Sequence, residues 1–128
     1  MKLGLQIALG IFSLIPLLFA VLGVVQGAAF FMPEGGYPAA LDNQLRYLSA
    51  IYLLVTLLLW WTIPKIETHG VVLALLCAVI FLGGLARFLS QSTVGPGLET
   101  QFAGMIFELC TPIFLIWQRL VARKAAPA

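Results

Sequence analysis

Charge is what this chain has least of. Only 9% of its residues are Asp, Glu, Lys or Arg, against about a quarter in an average soluble domain, which excludes an ordinary water-facing surface. The 7 basic and 5 acidic residues leave a net charge of +2. No basic run is long enough to track a phosphate backbone, so nucleic acid is set aside as a partner. Histidine occurs once and cysteine twice. Cys77 and Cys110 each lie inside an apolar run, with no CxxC spacing and no clustered histidine. A metal centre and a disulfide framework are therefore excluded, and both cysteines read as small packing residues. His69, in a short polar turn without a second ligand, reads as solvated surface.

What is present is apolar surface: 62% hydrophobic residues and a mean hydropathy of +1.06. At about 20 residues per membrane crossing, the 128 residues hold four helices with short connections and leave no room for a soluble domain. The expected fold is all-α, an antiparallel four-helix transmembrane bundle in one domain, with spans at about 3–29, 45–63, 71–89 and 101–120. Met1-Lys2 followed by apolar residues imitates a secretory signal. The run from Leu3 to Phe31 is longer than the roughly 7 to 15 residues of a signal core, so it is expected to stay as the first span.

That span exceeds what a bilayer needs, which predicts a tilt or a bend, with Pro16 as the kink. Gly23 and Gly27, one turn apart, permit close helix approach or are ordinary membrane-helix glycines. Met32 to Pro38 is dense in turn formers and reads as a loop. The second helix is expected to begin near Leu41 or Asp42, with Asp42 as N-cap. Asp42 and Arg46 are four apart and share a face, which Ser49, Tyr52 and Thr56 continue toward the bundle interior. Trp60 and Trp61 mark an interface and Pro64 stops the helix.

The third span is apolar until its end, where Gly83-Gly84 admits a neighbour and Arg87 follows. Ser90 to Thr100 reads as the next loop, with Gly95-Pro96-Gly97 as its turn. In the fourth span Glu108 precedes Pro112 by four residues. Proline cannot make the hydrogen bond to that carbonyl, so Glu108 is expected to lose its backbone partner as well as carrying a buried carboxyl. Trp117 and Arg119 mark the interface, and Arg123, Lys124 and a small-residue tail complete the chain.

Four antiparallel spans place Lys2, Lys65, Arg119, Arg123 and Lys124 on one side, while the two opposite loops carry no Lys or Arg. The positive-inside rule then puts both termini in the cytoplasm. Arg46 and Arg87 fall just inside the outer ends of their spans, and Glu108 lies about seven residues, or roughly 10 Å, below the start of its own. An arginine at membrane depth costs roughly 2.5 to 3.5 kcal/mol unless paired or wetted. Two readings follow. Either the arginines snorkel to the surface and a protonated Glu108 bonds a neighbouring helix, or Asp42, Arg46, Arg87 and Glu108 share a polar pocket open to the outside.

At Leu41-Asp42-Asn43-x-x-Arg46-Tyr47-Leu48-Ser49, at Gly83-Gly84-x-x-Arg87-x-x-Ser90 and at Glu108, nearly the whole chain resembles the bacterial family of domain of unknown function 4345. The family looks like a relative of the DoxX-like four-helix membrane proteins, some of which are linked to quinone-dependent oxidation. The resemblance implies a site at Asp42, Asn43, Arg46, Gly83, Gly84, Arg87 and Glu108, and a bacterial inner membrane location. It assigns no reaction, and no motif anchors a cofactor: paired membrane histidines for haem are absent, and a quinone enters by analogy alone. The leading expectation is a non-enzymatic protein whose outward pocket, supported by Ser49, Tyr52, Gly83, Gly84, Ser90 and Pro112, binds a small amphipathic ligand such as a lipid head group or quinone. The alternatives are an accessory subunit of a quinone-linked membrane redox partner, and a structural or assembly protein whose ion cluster fixes helix packing. An enzyme with Glu108 as general acid or base, and a transporter, fit the pattern less well. The sequence does not specify an oligomeric state.

Overall fold

The computed structural model describes residues 1–125, so the end of the small-residue tail, 126–128, lies outside the described residues. All regular structure among the described residues is helical. Four stretches are long and apolar enough to cross a membrane: Lys2–Gln26, Ala39–Lys65, Gly70–Thr93 and Glu99–Ala125. Contacts group the chain into two compact units. One is Gln6–Pro64; the other is Met1–Leu5 with the described residues from Lys65 onward.

In the first unit, helix α1 (Lys2–Gln26) runs through Pro16 without interruption. The interruption of the helix falls at Gly27, which takes φ +59° before a one-turn helix α2 (Ala28–Phe31). Proline removes a single backbone bond and a membrane helix absorbs that loss, whereas a positive φ cannot be continued as a right-handed helix. Phe30 and Phe31, on α2, pack edge-on and stacked against Phe19 of α1. Helix α3 (Ala39–Thr62) starts earlier than expected, with Pro38 as its N-cap and no side-chain cap. Ala39 and Ala40 are good first-turn residues, so the helix begins before Asp42 and frees that carboxylate for another partner. The contacts run antiparallel: Gln6 Nε2 donates to the Ile63 carbonyl at 2.8 Å, and Trp60 Nε1 donates to Ser13 Oγ at 2.9 Å. A single 3-10 turn, Ile63–Lys65, carries Pro64 and ends the span.

The second unit holds α4 (Gly70–Thr93), α5 (Glu99–Leu109) and α6 (Pro112–Ala125). Helix α4 extends past Leu89, because Ser92 and Thr93 hydroxyls bond back to the Phe88 and Leu89 carbonyls. The expected loop from Ser90 shortens accordingly, and Gly95, at φ +123°, makes the turn. Helix α5 begins at Glu99 rather than Gln101, and Gln101 Oε1 accepts the Leu98 N–H at 3.1 Å. The fourth span is interrupted at Cys110-Thr111, and α6 restarts at Pro112, whose fixed φ suits a first helical position. At the other end of this unit, Lys2 Nζ meets Glu67 Oε1 at 2.8 Å, Gln118 Nε2 donates to the Ile66 carbonyl at 3.0 Å, and Trp117 covers Gly4. The Lys2 ammonium holds the Glu67 carboxyl below the usual carboxylate range. His69, expected on the solvated surface, is half-buried where α4 begins. Cys77 is buried, but Cys110 is exposed at the interruption, so only the former packs as expected.

Candidate functional site

Within the second unit, α4 and α5 approach closely because Gly84 has no side chain. A Cβ at that position would stand 3.0 Å from Leu109 Cγ and Cδ2, and 3.1 Å from Glu108 Cβ. Gly83, expected to share this role, faces open space with nothing within 4 Å. Only one of two consecutive helical residues can point at a given neighbour, and here it is Gly84. One turn along α4, Arg87 Nε donates to both carboxylate oxygens of Glu108, at 3.2 and 2.9 Å. The Glu108 side chain keeps 13% of its surface and Arg87 35%, so the acid sits behind the guanidinium. Both oxygens crowd onto Nε. Among the described residues, neither Arg87 Nη1 nor Nη2 makes a hydrogen bond.

Glu108 keeps its backbone partner after all. Pro112 cannot donate to the Glu108 carbonyl, but Thr111 does so twice, through Oγ1 at 2.7 Å and its backbone N–H at 3.3 Å. The same hydroxyl lies 3.3 Å from the Cys77 carbonyl of α4. Thr111 is fully buried. It repairs the interruption and ties it to the adjacent helix, a bridge that the local Thr-Pro order hints at but that the sequence reading missed.

Asp42 and Arg46 belong to the first unit and are committed to its backbone. Asp42 Oδ1 accepts the Ala28 N–H at 2.8 Å, and Asp42 Oδ2 receives Arg46 Nε at 2.8 Å. Arg46 Nη1 donates to the Val24 and Val25 carbonyls at 2.6 and 2.9 Å. The pair thus satisfies the end of α1 and the start of α2 on either side of Gly27. These orphan groups would otherwise be exposed at the end of a membrane helix. Gly27 has no room for a side chain, since a Cβ would run into Asp42 Oδ1. Asp42 is therefore not the N-cap of its own helix, and most of the Arg46 guanidinium is already occupied.

The other residues singled out by sequence are spread through these elements. Asn43 is exposed on α3 and Tyr52 is half-buried there, while Ser49 packs against Gly23 so tightly that a Cβ on the glycine would meet its side chain. The Gly23–Gly27 pair is accordingly the surface on which α3 rests. Ser90 is exposed near the end of α4, and Pro112 opens α6. Sequence reasoning also passed over Gln118, which is 6% exposed and lies on Gly70, and over the Lys2–Glu67 pair. Both depend on contacts more than 50 positions apart in the chain, for which no local signal exists. Among the described residues no group of three or more His, Cys, Asp or Glu could hold a metal ion.

No curated protein and no solved structure matches this chain. Residues 4–118 match the family described as Domain of unknown function (DUF4345), a stretch that contains both arginine–acid pairs and all four membrane-length stretches apart from Lys2 and Leu3 of α1 and the last turns of α6, and the chain belongs to that family.

Proposed function

We propose that this is a ligand-binding protein of the bacterial inner membrane, with both termini in the cytoplasm, whose Arg87–Glu108 pair takes a small amphipathic ligand from the outer leaflet. The observation that carries the reading is the free fork of Arg87. Its Nε is anchored on Glu108, while Nη1 and Nη2 make no hydrogen bond among the described residues. A guanidinium held on one side and open on the other suits a planar, two-point contact with an anionic or carbonyl oxygen. A lipid head group and a quinone both present such an oxygen. The sidedness rests on the basic residues: Lys2, Lys65, Arg119, Arg123 and Lys124 lie at or beyond the ends of spans expected to face the cytoplasm. The site binds rather than catalyses, since Glu108 is engaged by Arg87 and shielded behind it.

Native mass spectrometry of the protein in mild detergent, titrated with a short-chain ubiquinone or with phosphatidylglycerol, tests this. Arg87→Lys keeps a charge for Glu108 but lacks the second donor fork, and should weaken binding of the preferred ligand about tenfold, equivalent to roughly 1.4 kcal/mol. Unchanged affinity for both probes removes the basis of the proposal. Preference for the quinone favours the accessory role in a quinone-linked redox system, for which the DoxX-like analogy supplies the motive.

A second reading is supported by the other pair. Asp42 and Arg46 spend their hydrogen bonds on the backbone around Gly27, which is the behaviour of a structural clamp rather than a ligand site. Arg46→Gln should therefore lower thermal stability in detergent and leave ligand affinity unchanged.

A further inference from the structure

The chain has seven basic residues, and three of them are matched: Lys2 with Glu67, Arg46 with Asp42 and Arg87 with Glu108. The four left over, Lys65, Arg119, Arg123 and Lys124, all belong to the end of the second unit where α4 begins and α6 finishes. Among the described residues none of them forms an ion pair, and neither arginine's guanidinium makes a hydrogen bond. Glu67, the acidic side chain at this end, is already taken by Lys2 at 2.8 Å. The excess positive charge therefore has no counterpart in the protein.

A groove of about 370 Å³, within the size range of small-molecule sites, opens at this end between α4 and α6. Leu115, Arg119 and Arg123 follow one another at four-residue steps along α6 and form one row on a helix face. Leu115 and Arg119 line the groove, and Arg123 continues the row past its mouth. Val71 and Ala74 make the facing wall on α4, with Ala74 one turn deeper than Gly70. The groove thus passes from exposed guanidiniums at its mouth to an apolar wall toward the membrane interior. Its shape is held by Gln118, which is 6% exposed, donates to the Ile66 carbonyl at 3.0 Å and sits where a side chain on Gly70 would stand. We propose that this groove binds an anionic phospholipid of the phosphatidylglycerol class, its phosphodiester against Arg119 and Arg123 and the first part of one acyl chain along Val71, Ala74 and Leu115. A guanidinium fork matches phosphate oxygens at two points. A choline or ethanolamine lipid carries the same phosphate, but its ammonium cancels the charge and would lie among the unmatched bases. A free phosphate has no chain for the apolar wall.

Delipidated protein in mild detergent is titrated with phosphatidylglycerol, phosphatidylcholine and phosphatidylethanolamine of identical acyl chains, and bound lipid is counted by native mass spectrometry. A basic residue beside an anionic lipid is worth about fivefold in affinity, so two arginines should set phosphatidylglycerol ahead of either zwitterionic lipid by about tenfold or more. Arg119→Gln should lower that preference about fivefold, and Arg119→Gln with Arg123→Gln should bring it close to one. Lys124→Gln removes the same charge from the opposite face of α6 and should leave the preference in place. Ala74→Phe fills the apolar wall without touching the charges and should abolish the preference. The arginine effects should be the same in an Arg87→Lys background, which separates this groove from the outward pair. Equal binding of the three lipids by the unaltered protein, equal losses in Lys124→Gln and Arg119→Gln, a preference that survives Ala74→Phe, or an arginine effect that vanishes in Arg87→Lys protein overturns the proposal. The head-group comparison on the unaltered protein stands even where a variant fails to fold.

Discussion

Two adjacent glycines should respond in opposite ways to the same methyl group. At Gly84 the added Cβ would come within 3.0 Å of Leu109 Cγ and Cδ2 and 3.1 Å of Glu108 Cβ, whereas at Gly83 it meets nothing within 4 Å. Carbon atoms prefer about 3.5 to 4.0 Å, so Gly84→Ala requires the Leu109 side chain and Glu108 Cβ to give way by a few tenths of an ångström, and where they do not, α4 and α5 move apart. Overpacking of that kind costs about 1 to 3 kcal/mol. Alanine returns up to about 1 kcal/mol over glycine inside a helix, which leaves a net loss of about 0 to 2 kcal/mol at Gly84 and a gain of up to about 1 kcal/mol at Gly83. Because Arg87 and Glu108 hydrogen-bond just beyond this contact at 2.9 and 3.2 Å, separating the helices also stretches them. Gly84→Ala should therefore be non-additive with Glu108→Gln, the second change costing less once the first is present. The measurement is reversible unfolding in mixed micelles, followed by helical circular dichroism as denaturing detergent is raised, for Gly83→Ala, Gly84→Ala, Glu108→Gln and the Gly84→Ala/Glu108→Gln double variant. If Gly83→Ala is as destabilising as Gly84→Ala, or if Gly84→Ala and Glu108→Gln add independently, the close-approach argument is wrong.

Thr111→Val should destabilise by about 1 kcal/mol, the net worth of one hydrogen bond, because the Glu108 carbonyl loses its 2.7 Å hydroxyl donor and keeps the 3.3 Å backbone N–H. Pro112→Ala supplies a backbone N–H in its place, so Thr111→Val should cost measurably less in that background in the same unfolding assay. The Lys2–Glu67 pair should give stability a pH dependence. The folded carboxyl lies below its ordinary range, with the Lys2 hydrogen bond as first cause, so its contribution is complete above the unfolded value and fades as pH falls through the folded one. Thermal unfolding from neutral to acidic pH should show this fade in the unaltered protein and a weaker one in Lys2→Gln.

The four membrane-length helices are legible because length and hydropathy alone decide them, and each is bounded by glycine, proline or charge. Their ends are less legible. Ser92 and Thr93 look like loop residues by composition, yet their hydroxyls turn back onto α4 and prolong it. The contact of Arg87 with Glu108 follows from a general rule, that charges at membrane depth need company. The spacing of Asp42 and Arg46 likewise gives their mutual bond, but not what the pair holds. That depends on Gly27 adopting φ +59°, which only the packing of α1 and α2 against α3 fixes. Pro16 was the more conspicuous breaker and Gly27 the effective one. Gln118 and Thr111 were invisible for another reason: each serves a carbonyl on a different element, and a single polar residue in an apolar run carries no address.

The hydrogen bond between Arg87 and Glu108 has a consequence for how the chain enters a bilayer at synthesis. The fourth membrane-length stretch has a mean hydropathy of 1.5 in its best window, against 2.5 for the third. A charge at membrane depth adds several kcal/mol to the cost of inserting a lone helix. Neither Arg87 nor Glu108 is cheap to insert first, but each lowers the cost of the other. The two segments therefore partition more favourably as one hairpin, joined by the short turn around Gly95, than as two separate helices.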